Sequence, residues 1–305
     1  MWTQIRRVRT PVLEIGYCEF GPAEGDPVVL LHGWPDDVRT WSHVVPVLAA
    51  AGYRVLCPWL RGFGETQFLY PAENRSGQLS ALAVDVMEFA DSLGLRRFSV
   101  VGHDWGARAA YIAAALWPDR IVCCVAISVG WGTNDPEQAL ALSQARNYWY
   151  HWYLATPRGE AAVRDSRREF TRFLWSTWSP QWVFGEDEFA ATAHSFENPD
   201  WAAVTLHSYR HRWGWAEADA RYAAEERLLN PTPQITVPVL VLHGDGDACN
   251  APLTSEGREA FFAGPYQRRL VAGAGHFPQR EQGAAVSAAI LDFWSAPRSR
   301  FDPVF

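Results

Sequence analysis

Residues 98–107 (FSVVGHDWGA) constrain the fold of this chain more than any other stretch. A short apolar run, which predicts a buried strand, ends at an acid between glycines, and an alanine-rich helical pattern starts directly after it. Gly102 and Gly106 let the backbones of strand and helix approach closely at the turn. The stretch therefore predicts a nucleophile elbow with Asp104 at its tip, although an aspartate there can also act only as a helix cap.

An aspartate at the tip of such a turn narrows the chemistry. A carboxylate gains little by attacking an amide or an ester, because the anhydride that results is itself a reactive acyl compound. It can, however, displace a leaving group from saturated carbon and form an ester. Asp104 is therefore predicted to break a carbon–oxygen or a carbon–halogen bond.

Strand and helix patterns alternate on both sides of the elbow. Right-handed crossovers would stack such strands in a mostly parallel sheet flanked by helices, which is the α/β class. A looser alternation at residues 12–20 predicts a pair of edge strands. Buried strands are predicted at 27–31, 53–58, 98–103, 121–127, 237–242 and 268–272, and helices at 40–51, 79–93 and 283–294.

The composition changes between residues 134 and 227. Aliphatic strand patterns stop there and aromatic residues become frequent, including the unbroken run YWYHWY at 148–153. We predict a mostly helical lid inserted at 134–227, with the sheet domain formed by residues 1–133 and 228–305. Most of the lid tryptophans are expected to form its own core, with a few facing the elbow.

Charge and cysteine usage exclude several classes of partner. The net charge of −7 and the absence of a long basic run disfavour nucleic acid and anionic membranes. Five cysteines, with no CxxC pair and an odd count, indicate a reduced compartment, so we expect a cytoplasmic protein without a metal site. No apolar stretch suggests a leader or a membrane span. We expect a small-molecule substrate and no cofactor, and leave a homodimer open.

Chemically active residues follow three predicted strands, at the edge of the sheet where ligands bind in such folds. Asp104 follows one of them, Asp247 follows the strand at 237–242, and His276 follows the last one. A histidine oriented by a carboxylate can activate water, so His276 is the predicted base and Asp247 its acid. Asp245 competes with Asp247, but the spacing after Gly244 favours Asp247. The backbone N–H groups that follow the strand-end turns, those of Trp34 and Trp105, predict an oxyanion hole.

Three motifs carry a family resemblance: HGWP at 32–35, GHDWG at 102–106 and GHF at 275–277. Together they resemble the epoxide hydrolase and dehalogenase branch of the α/β-hydrolase superfamily, over nearly the whole chain. The chain order nucleophile, acid, histidine is that of α/β-hydrolases. The resemblance implies an α/β-hydrolase fold with an inserted lid (cap) and hydrolase activity.

Epoxide hydrolases use two lid tyrosines to hold and protonate the epoxide oxygen. Residues 149–157 are similar to the early tyrosine motif, which implies Tyr150, with Tyr148 and Tyr153 as neighbours that could take its place. Residues 207–210 are similar to the late motif and imply Tyr209. Phenols suit this role because they donate a proton without being ionised beforehand.

Other residues resemble dehalogenases. Arg108, His151 and Trp152 are similar to residues of fluoroacetate dehalogenases, where an arginine holds a carboxylate and lid side chains hold fluoride. Together with Tyr153, these three residues are candidates for the substrate pocket. Haloalkane dehalogenases share the Asp104–Trp105 pair, in which the tryptophan donates to halide.

The chain also departs from these dehalogenases. Trp105 stands where fluoroacetate dehalogenases have a second arginine, and Ser128 stands where they tend to have their acid. Trp34 stands where haloalkane dehalogenases commonly have asparagine, and Trp59 where the whole branch generally has aspartate. The prediction is therefore epoxide hydrolysis through an ester on Asp104. Dehalogenation by the same aspartate is the alternative, and a non-catalytic ligand-binding protein is less favoured.

Overall fold

The computed structural model describes residues 1–133 and 139–295, and these form a nine-stranded sheet flanked by helices. The strand order is β1-β2-β4-β3-β6-β7-β8-β9, with β5 paired to β2, and every pair from β4 to β9 along this order is parallel. The strands are β1 (Arg6–Arg9), β2 (Leu13–Phe20), β3 (Pro27–Leu31), β4 (Arg54–Pro58), β5 (Gln67–Phe68), β6 (Phe98–His103), β7 (Ile121–Ile127), β8 (Val239–Gly244) and β9 (Tyr266–Val271). The predicted α/β class and parallel sheet are confirmed.

The central strands are the continuous apolar runs of the sequence. β6 is buried along its whole length and pairs with β3 and β7, which is why its residues show no alternation of apolar and polar side chains. The prediction for residues 12–20 was wrong in detail. Residues 13–20 form one strand, β2, which pairs antiparallel with β1, β4 and β5. The edge strand β1 is rich in arginine and has no apolar pattern to mark it.

In the described part of the sheet domain, four helices pack against the sheet. They are α1 (Val45–Ala50), α2 (Leu79–Ser92), α3 (Trp105–Leu116) and α12 (Gly283–Ser295), and a short α11 (Pro278–Glu281) precedes the last. The helix predicted at 40–51 is divided into a 3₁₀ turn, Val38–Trp41, and α1. Pro46 lies in the first turn of α1, where its missing N–H costs nothing, and it could not lie in the interior of a longer helix.

Between β7 and β8, in the stretch predicted as the lid, the described residues form seven helices. They are α4 (Leu142–Asn147), α5 (Trp149–Leu154), α6 (Pro157–Asp165), α7 (Arg167–Trp178), α8 (Glu186–Ala193), α9 (Trp201–Arg212) and α10 (Ala223–Leu228). The predicted first residue of the lid, 134, lies outside the described residues. We use the word lid below for residues 139–228.

Trp59 joins the sheet domain to the lid. Its indole Nε1–H donates to Ser195 Oγ at 3.1 Å, and the Ser195 hydroxyl donates to Asp37 Oδ2 at 2.7 Å. All three side chains are buried. The tryptophan that replaces the usual aspartate of the branch therefore forms a hydrogen-bonded bridge between the two parts of the chain.

Membrane-spanning helices are not found in the described ranges, where no helix is both long and apolar enough to cross a bilayer. The same ranges contain no group of three or more His, Cys, Asp or Glu side chains arranged to hold a metal ion. All five cysteines are buried with free thiols.

Candidate active site

Asp104 occupies a strained turn between β6 and α3, with φ 49° and ψ −112°. Positive φ is costly for a residue with a side chain, and such strain is typical of functional positions. The turn is possible because the residues two positions before and after Asp104 are glycines: a Cβ on Gly102 would lie 2.1 Å from the carbonyl oxygen of Gly106. The Asp104 side chain makes no capping hydrogen bond to α3, so helix capping does not explain the acid.

The turn after β3 presents a donor to Asp104. The Trp34 N–H donates to Asp104 Oδ1 at 3.0 Å, and Gly33 is so close that a Cβ there would lie 2.5 Å from the Asp104 Cβ. His32 fixes this turn: its Nδ1–H donates to the Gly33 carbonyl at 2.9 Å and its Nε2 accepts from the Leu60 N–H at 3.0 Å. Burial lowers the pKa of His32, which keeps this neutral tautomer.

His276 and Asp247 lie beside the elbow. His276 Nδ1 is 2.9 Å from Asp247 Oδ2, and His276 Nε2 is 3.8 Å from Asp104 Oδ2. Because the ionised Asp247 carboxylate can only accept, Nδ1 of the neutral His276 imidazole carries the proton and Nε2 keeps its lone pair. Nε2 is buried and has no hydrogen-bond partner among the described residues. The lone pair of a base therefore faces the predicted nucleophile.

Electrostatic interactions shift the pKa values of His276 and Asp247 in opposite directions. Burial disfavours the charged imidazolium, but the Asp247 charge and its hydrogen bond, together with the charges of Asp104 and Glu281, outweigh burial and raise the pKa of His276. Burial acts on Asp247 in the opposite direction, yet His276 and a hydrogen bond from His243 lower the pKa of Asp247 to about 2. Asp247 thus stays ionised and orients the base.

Three side chains hold the backbone of His276 in place. Its N–H donates to Ser179 Oγ at 2.8 Å, and its carbonyl accepts from His103 Nε2 at 2.7 Å and from Ser128 Oγ at 2.9 Å. Burial, followed by the nearby His276, lowers the pKa of His103 to about 4, so His103 acts as a neutral donor. Ser128, at the strand end where some dehalogenases place their acid, supports the histidine instead.

The sequence analysis missed two residues that support the His276–Asp247 pair. His243 Nε2 lies 3.3 Å from Asp247 Oδ2 and 2.8 Å from the Asn250 carbonyl. Ser179 reaches His276 from the end of α7, about a hundred residues away in the chain. No local motif surrounds either of them. Asp245, the competing acid, is exposed and accepts from the Gly273 N–H.

Tyr150 and Tyr209 come together over the elbow. The Trp105 indole Nε1–H donates to the Tyr209 hydroxyl at 3.2 Å. The Tyr150 ring stacks on Trp34, with centroids 5.7 Å apart and planes 11° apart, and contacts Tyr209 edge-on at 5.3 Å. The Tyr150 hydroxyl is 3.5 Å from Cys249 Sγ. Burial raises the pKa of both phenols well above 10, so both are protonated and able to donate.

The neighbours of Tyr150 are directed elsewhere. The Tyr148 hydroxyl donates to Asn250 Oδ1 at 2.6 Å, at the loop that carries the acid. Tyr153 is half-buried and lines a cavity on another side of the lid, formed by α6 and α7. Trp152, a predicted pocket residue, donates its Nε1–H to the Ala145 carbonyl at 3.1 Å and packs on Trp213. The structure therefore brings neither Trp152 nor Tyr153 to the site.

His151 and Arg108, by contrast, border the tyrosines. The Trp213 indole donates to His151 Nδ1 at 3.0 Å, so Nε2 carries the proton, and the imidazole lies 4.7 Å from the Tyr209 ring. Burial, then the charges of Arg212 and Arg108, lower the pKa of His151 well below 6.5. Arg108 is buried and donates from Nη1 to Thr133 Oγ1 at 3.2 Å.

The whole constellation is enclosed by protein. Asp104 is 4 % exposed, Tyr150 2 %, Tyr209 1 % and His276 0 %. Trp105 is the first residue of α3, so its N–H lies among the donors that have no partner within the helix. In this dry setting a charge that develops near the Trp34 and Trp105 N–H groups interacts strongly with them.

Comparisons with known proteins identify the family of the chain. Residues 26–282 match the family model of the alpha/beta hydrolase fold. The chain is 28 % identical to epoxide hydrolase A of Mycobacterium tuberculosis over 94 % of this chain and 96 % of that protein. A crystal structure of a "putative epoxide hydrolase" from Klebsiella pneumoniae is 40 % identical, with TM-score 0.90, and 95 % of this chain covers 97 % of that one.

A second solved structure extends the likeness. Epoxide hydrolase A from Mycobacterium thermoresistibile is 25 % identical, with TM-score 0.77, over 98 % of this chain and 99 % of that one. The resemblance inferred from the sequence motifs is thereby confirmed. The match over most of the chain, the parallel sheet and the strained elbow after β6 together establish that this chain belongs to the α/β-hydrolase fold family.

Proposed function

We propose that this protein opens an epoxide to a vicinal diol through a covalent ester on Asp104. Relatives that cover nearly its whole length are named epoxide hydrolases. One observation carries the proposal within the site. The Trp105 Nε1–H can only donate, so Tyr209 accepts in that contact and keeps its own proton for another oxygen. An epoxide oxygen held beside Tyr150 and Tyr209 would receive it.

The first step forms the ester. Asp104 Oδ1 is occupied by the Trp34 N–H, which leaves Oδ2 to attack a ring carbon of the epoxide. The carbon–oxygen bond of the ring breaks as the new carbon–Oδ2 bond forms. A proton passes from Tyr209 or Tyr150 to the leaving oxygen, because an alkoxide is too basic to leave without one.

The second step hydrolyses the ester. His276 Nε2 takes a proton from water, and the water oxygen attacks Asp104 Cγ. Oδ1 then carries the negative charge of the tetrahedral intermediate and is stabilised by the N–H groups of Trp34 and Trp105. Collapse breaks the Cγ–Oδ2 bond, and His276 returns its proton to the departing oxygen. The second proton of the water leaves the regenerated Asp104 carboxyl and restores the tyrosine that donated in the first step. Loss of one such donor typically raises the barrier by about 3 kcal/mol.

Dehalogenation fits the hydrogen bonds less well. The tryptophan that would donate to halide in a haloalkane dehalogenase is Trp105, and its indole N–H is bound to Tyr209. The lid tryptophan that would hold fluoride is Trp152, and its indole N–H is bound to the Ala145 carbonyl. Both donors would have to be withdrawn from existing partners before they could bind a halide.

A substrate panel tests the proposal. Purified protein is incubated with styrene oxide, aliphatic epoxides, fluoroacetate and haloalkanes, and diol and halide are measured in parallel. Diol without halide is the expected result.

For an active epoxide, a single turnover in heavy-oxygen water should place the label in Asp104 and leave the first diol unlabelled, with Asp104→Asn as the control. Halide release without diol, or label in the first diol, would contradict the proposal.

A further inference from the structure

A cavity of about 660 Å³ lies between the lid and the sheet domain, and one of its lining residues, Arg212, packs on the Tyr209 ring. Its apolar wall is formed by Leu79, Ile112, Trp131 and Leu229. Its polar wall includes Ser208 and Arg212, which flank Tyr209 on helix α9. Residues of α9 thus face this cavity and the tyrosine site from one helix.

Arg212 is a mostly buried cation without a counterion in the described structure. Its Nε and Nη2 atoms are inaccessible and form no hydrogen bond there. The guanidinium lies 5.0 Å from the Tyr209 ring centre. Ser208 is 2 % exposed and its hydroxyl is also without a partner in the described residues. Unpaired buried donors of this kind cost folding free energy, which a bound acceptor would recover.

The positive charge of Arg212 also acts on residues that border Tyr150 and Tyr209. Among the charges near Arg108, that of Arg212 acts most strongly to lower the Arg108 pKa, after burial itself. The same charge helps to lower the pKa of His151. Glu226 also lines the cavity, but Gln78 Nε2 and Ser80 Oγ donate to its carboxylate at 3.1 and 2.5 Å. The cation, not the anion, is the group that lacks partners.

We propose that this cavity binds a carboxylate of the substrate, with Arg212 and Ser208 as donors, so that the preferred substrates are epoxides joined to a carboxylate through an apolar chain. The inference rests on the proposed epoxide hydrolysis. A carboxylate carries one charge and two acceptor oxygens, which suits the fork of a single guanidinium. The four apolar side chains would cover the connecting chain.

Matched pairs of substrates test the proposal. Terminal epoxides of six to eleven carbons that end in a carboxylate are compared with their primary amides, which differ little in size and lack the charge. We expect the acid to have a kcat/KM at least tenfold above that of the amide for the best chain length. Arg212→Gln should reduce this ratio to about one. The ratio is the readout, because Arg212 also packs on Tyr209 and its loss can slow both substrates.

Arg227→Gln is the matched control, since Arg227 lines the same cavity but is exposed and screened by water. It should leave the ratio unchanged. Calorimetric titration with octanoate and octanamide separates the two proposals. Octanoate binding that weakens tenfold or more in Arg212→Gln supports the carboxylate site even if no epoxide is turned over. Equal kcat/KM for acid and amide, or octanoate binding indifferent to Arg212, would overturn it.

Discussion

At the scale of single residues, the directions of the hydrogen bonds define which atoms carry protons. An acceptor-only carboxylate places the His276 proton on Nδ1, and a donor-only indole leaves the Tyr209 proton available. His32 and His103 are neutral because burial lowers the pKa of each. Among the described residues, the site therefore offers a basic lone pair on His276 and two phenol donors, all close to the Asp104 carboxylate.

The phenol donors lead to a prediction about the first step. The double variant Tyr150→Phe, Tyr209→Phe keeps both rings and removes both donors, so ester formation with an epoxide should slow about a hundredfold to ten-thousandfold. Rapid-quench mass spectrometry of the protein measures this rate, and Tyr153→Phe is the control. If the pair proves dispensable while Arg108→Leu abolishes fluoride release from fluoroacetate, the protein is a dehalogenase.

The His276–Asp247 pair leads to a prediction about pH. A base must be neutral to act, so ester hydrolysis should rise with pH, with its midpoint at the His276 pKa, which the Asp247 charge raises. Asp247→Asn removes the charge that raises this pKa, so the midpoint should fall as the rate falls. Single-turnover decay of the ester across pH measures both. Asp245→Asn, in the same loop, should leave the profile unchanged; an unmoved midpoint in Asp247→Asn would refute the assignment.

Residues that follow a strand within a few positions could be predicted, and those that arrive from elsewhere could not. Asp104, Asp247 and His276 each end an apolar run, so the sheet itself places them at one edge. Arg212 and Ser179 enter the site through lid packing, and no pattern of apolar residues records those approaches. His243 does follow the predicted strand at 237–242, but nothing in the sequence distinguished it as a partner of Asp247. Tyr150 could not be separated from Tyr148 and Tyr153 until the orientation of α5 was known.

At the scale of elements, the elbow depends on the close contact of β3, β6 and α3. A Cβ on Gly106 would lie 2.2 Å from the Leu31 carbonyl oxygen. Strands such as β3, whose apolar run matches its bounds, were predictable because burial on both faces leaves no polar positions. β1 was not, because an edge strand can be polar on both faces and resembles a loop in sequence.

This contact predicts the effect of one methyl group. Gly102→Ala should lower the free energy of unfolding by about 1–3 kcal/mol or more, since backbone atoms cannot yield to the added Cβ. Gly185→Ala is the control, because nothing lies within 4 Å of a Cβ there. Gly185 is the N-cap of α8, where alanine is less favoured than glycine, so the substitution should lower stability by no more than about 0.5–1 kcal/mol. Urea denaturation measures both. Equal effects of the two substitutions would show that the elbow is not tightly packed.

At the scale of the whole molecule, hydrogen bonds between buried groups connect the lid to the sheet domain. The Trp34 Nε1–H donates to Thr205 Oγ1 at 2.9 Å, and the Trp175 Nε1–H donates to the Pro35 carbonyl at 2.7 Å. Both contacts involve the turn that supplies the Trp34 N–H to Asp104. Because the reacting groups are buried beneath this lid, a substrate can reach them only if lid side chains move.

The Trp59 bridge allows the strength of this connection to be measured. Ser195→Ala removes the hydroxyl between Trp59 and Asp37 and leaves buried polar groups without it, so stability should fall by about 1–3 kcal/mol. Ser176→Ala, an exposed lid serine that bonds only within its own helix, is the control. Thermal unfolding measures the difference. A loss no larger than that of the control would mean that lid and sheet domain hardly stabilise each other here.

The hydrogen bond from Trp34 to Asp104 determines which carboxylate oxygen the proposed enzyme would transfer to its product. It holds Oδ1 in place, so only the other oxygen would enter the ester and leave with the diol, and the oxygen that replaces it would come from water. Each diol would then carry the oxygen that the previous turnover left behind. In heavy-oxygen water the protein would gain one labelled atom and no more, and every diol after the first would carry one labelled oxygen, the other being that of the epoxide. A carboxylate free to rotate would instead take up two labels and release them over several turnovers.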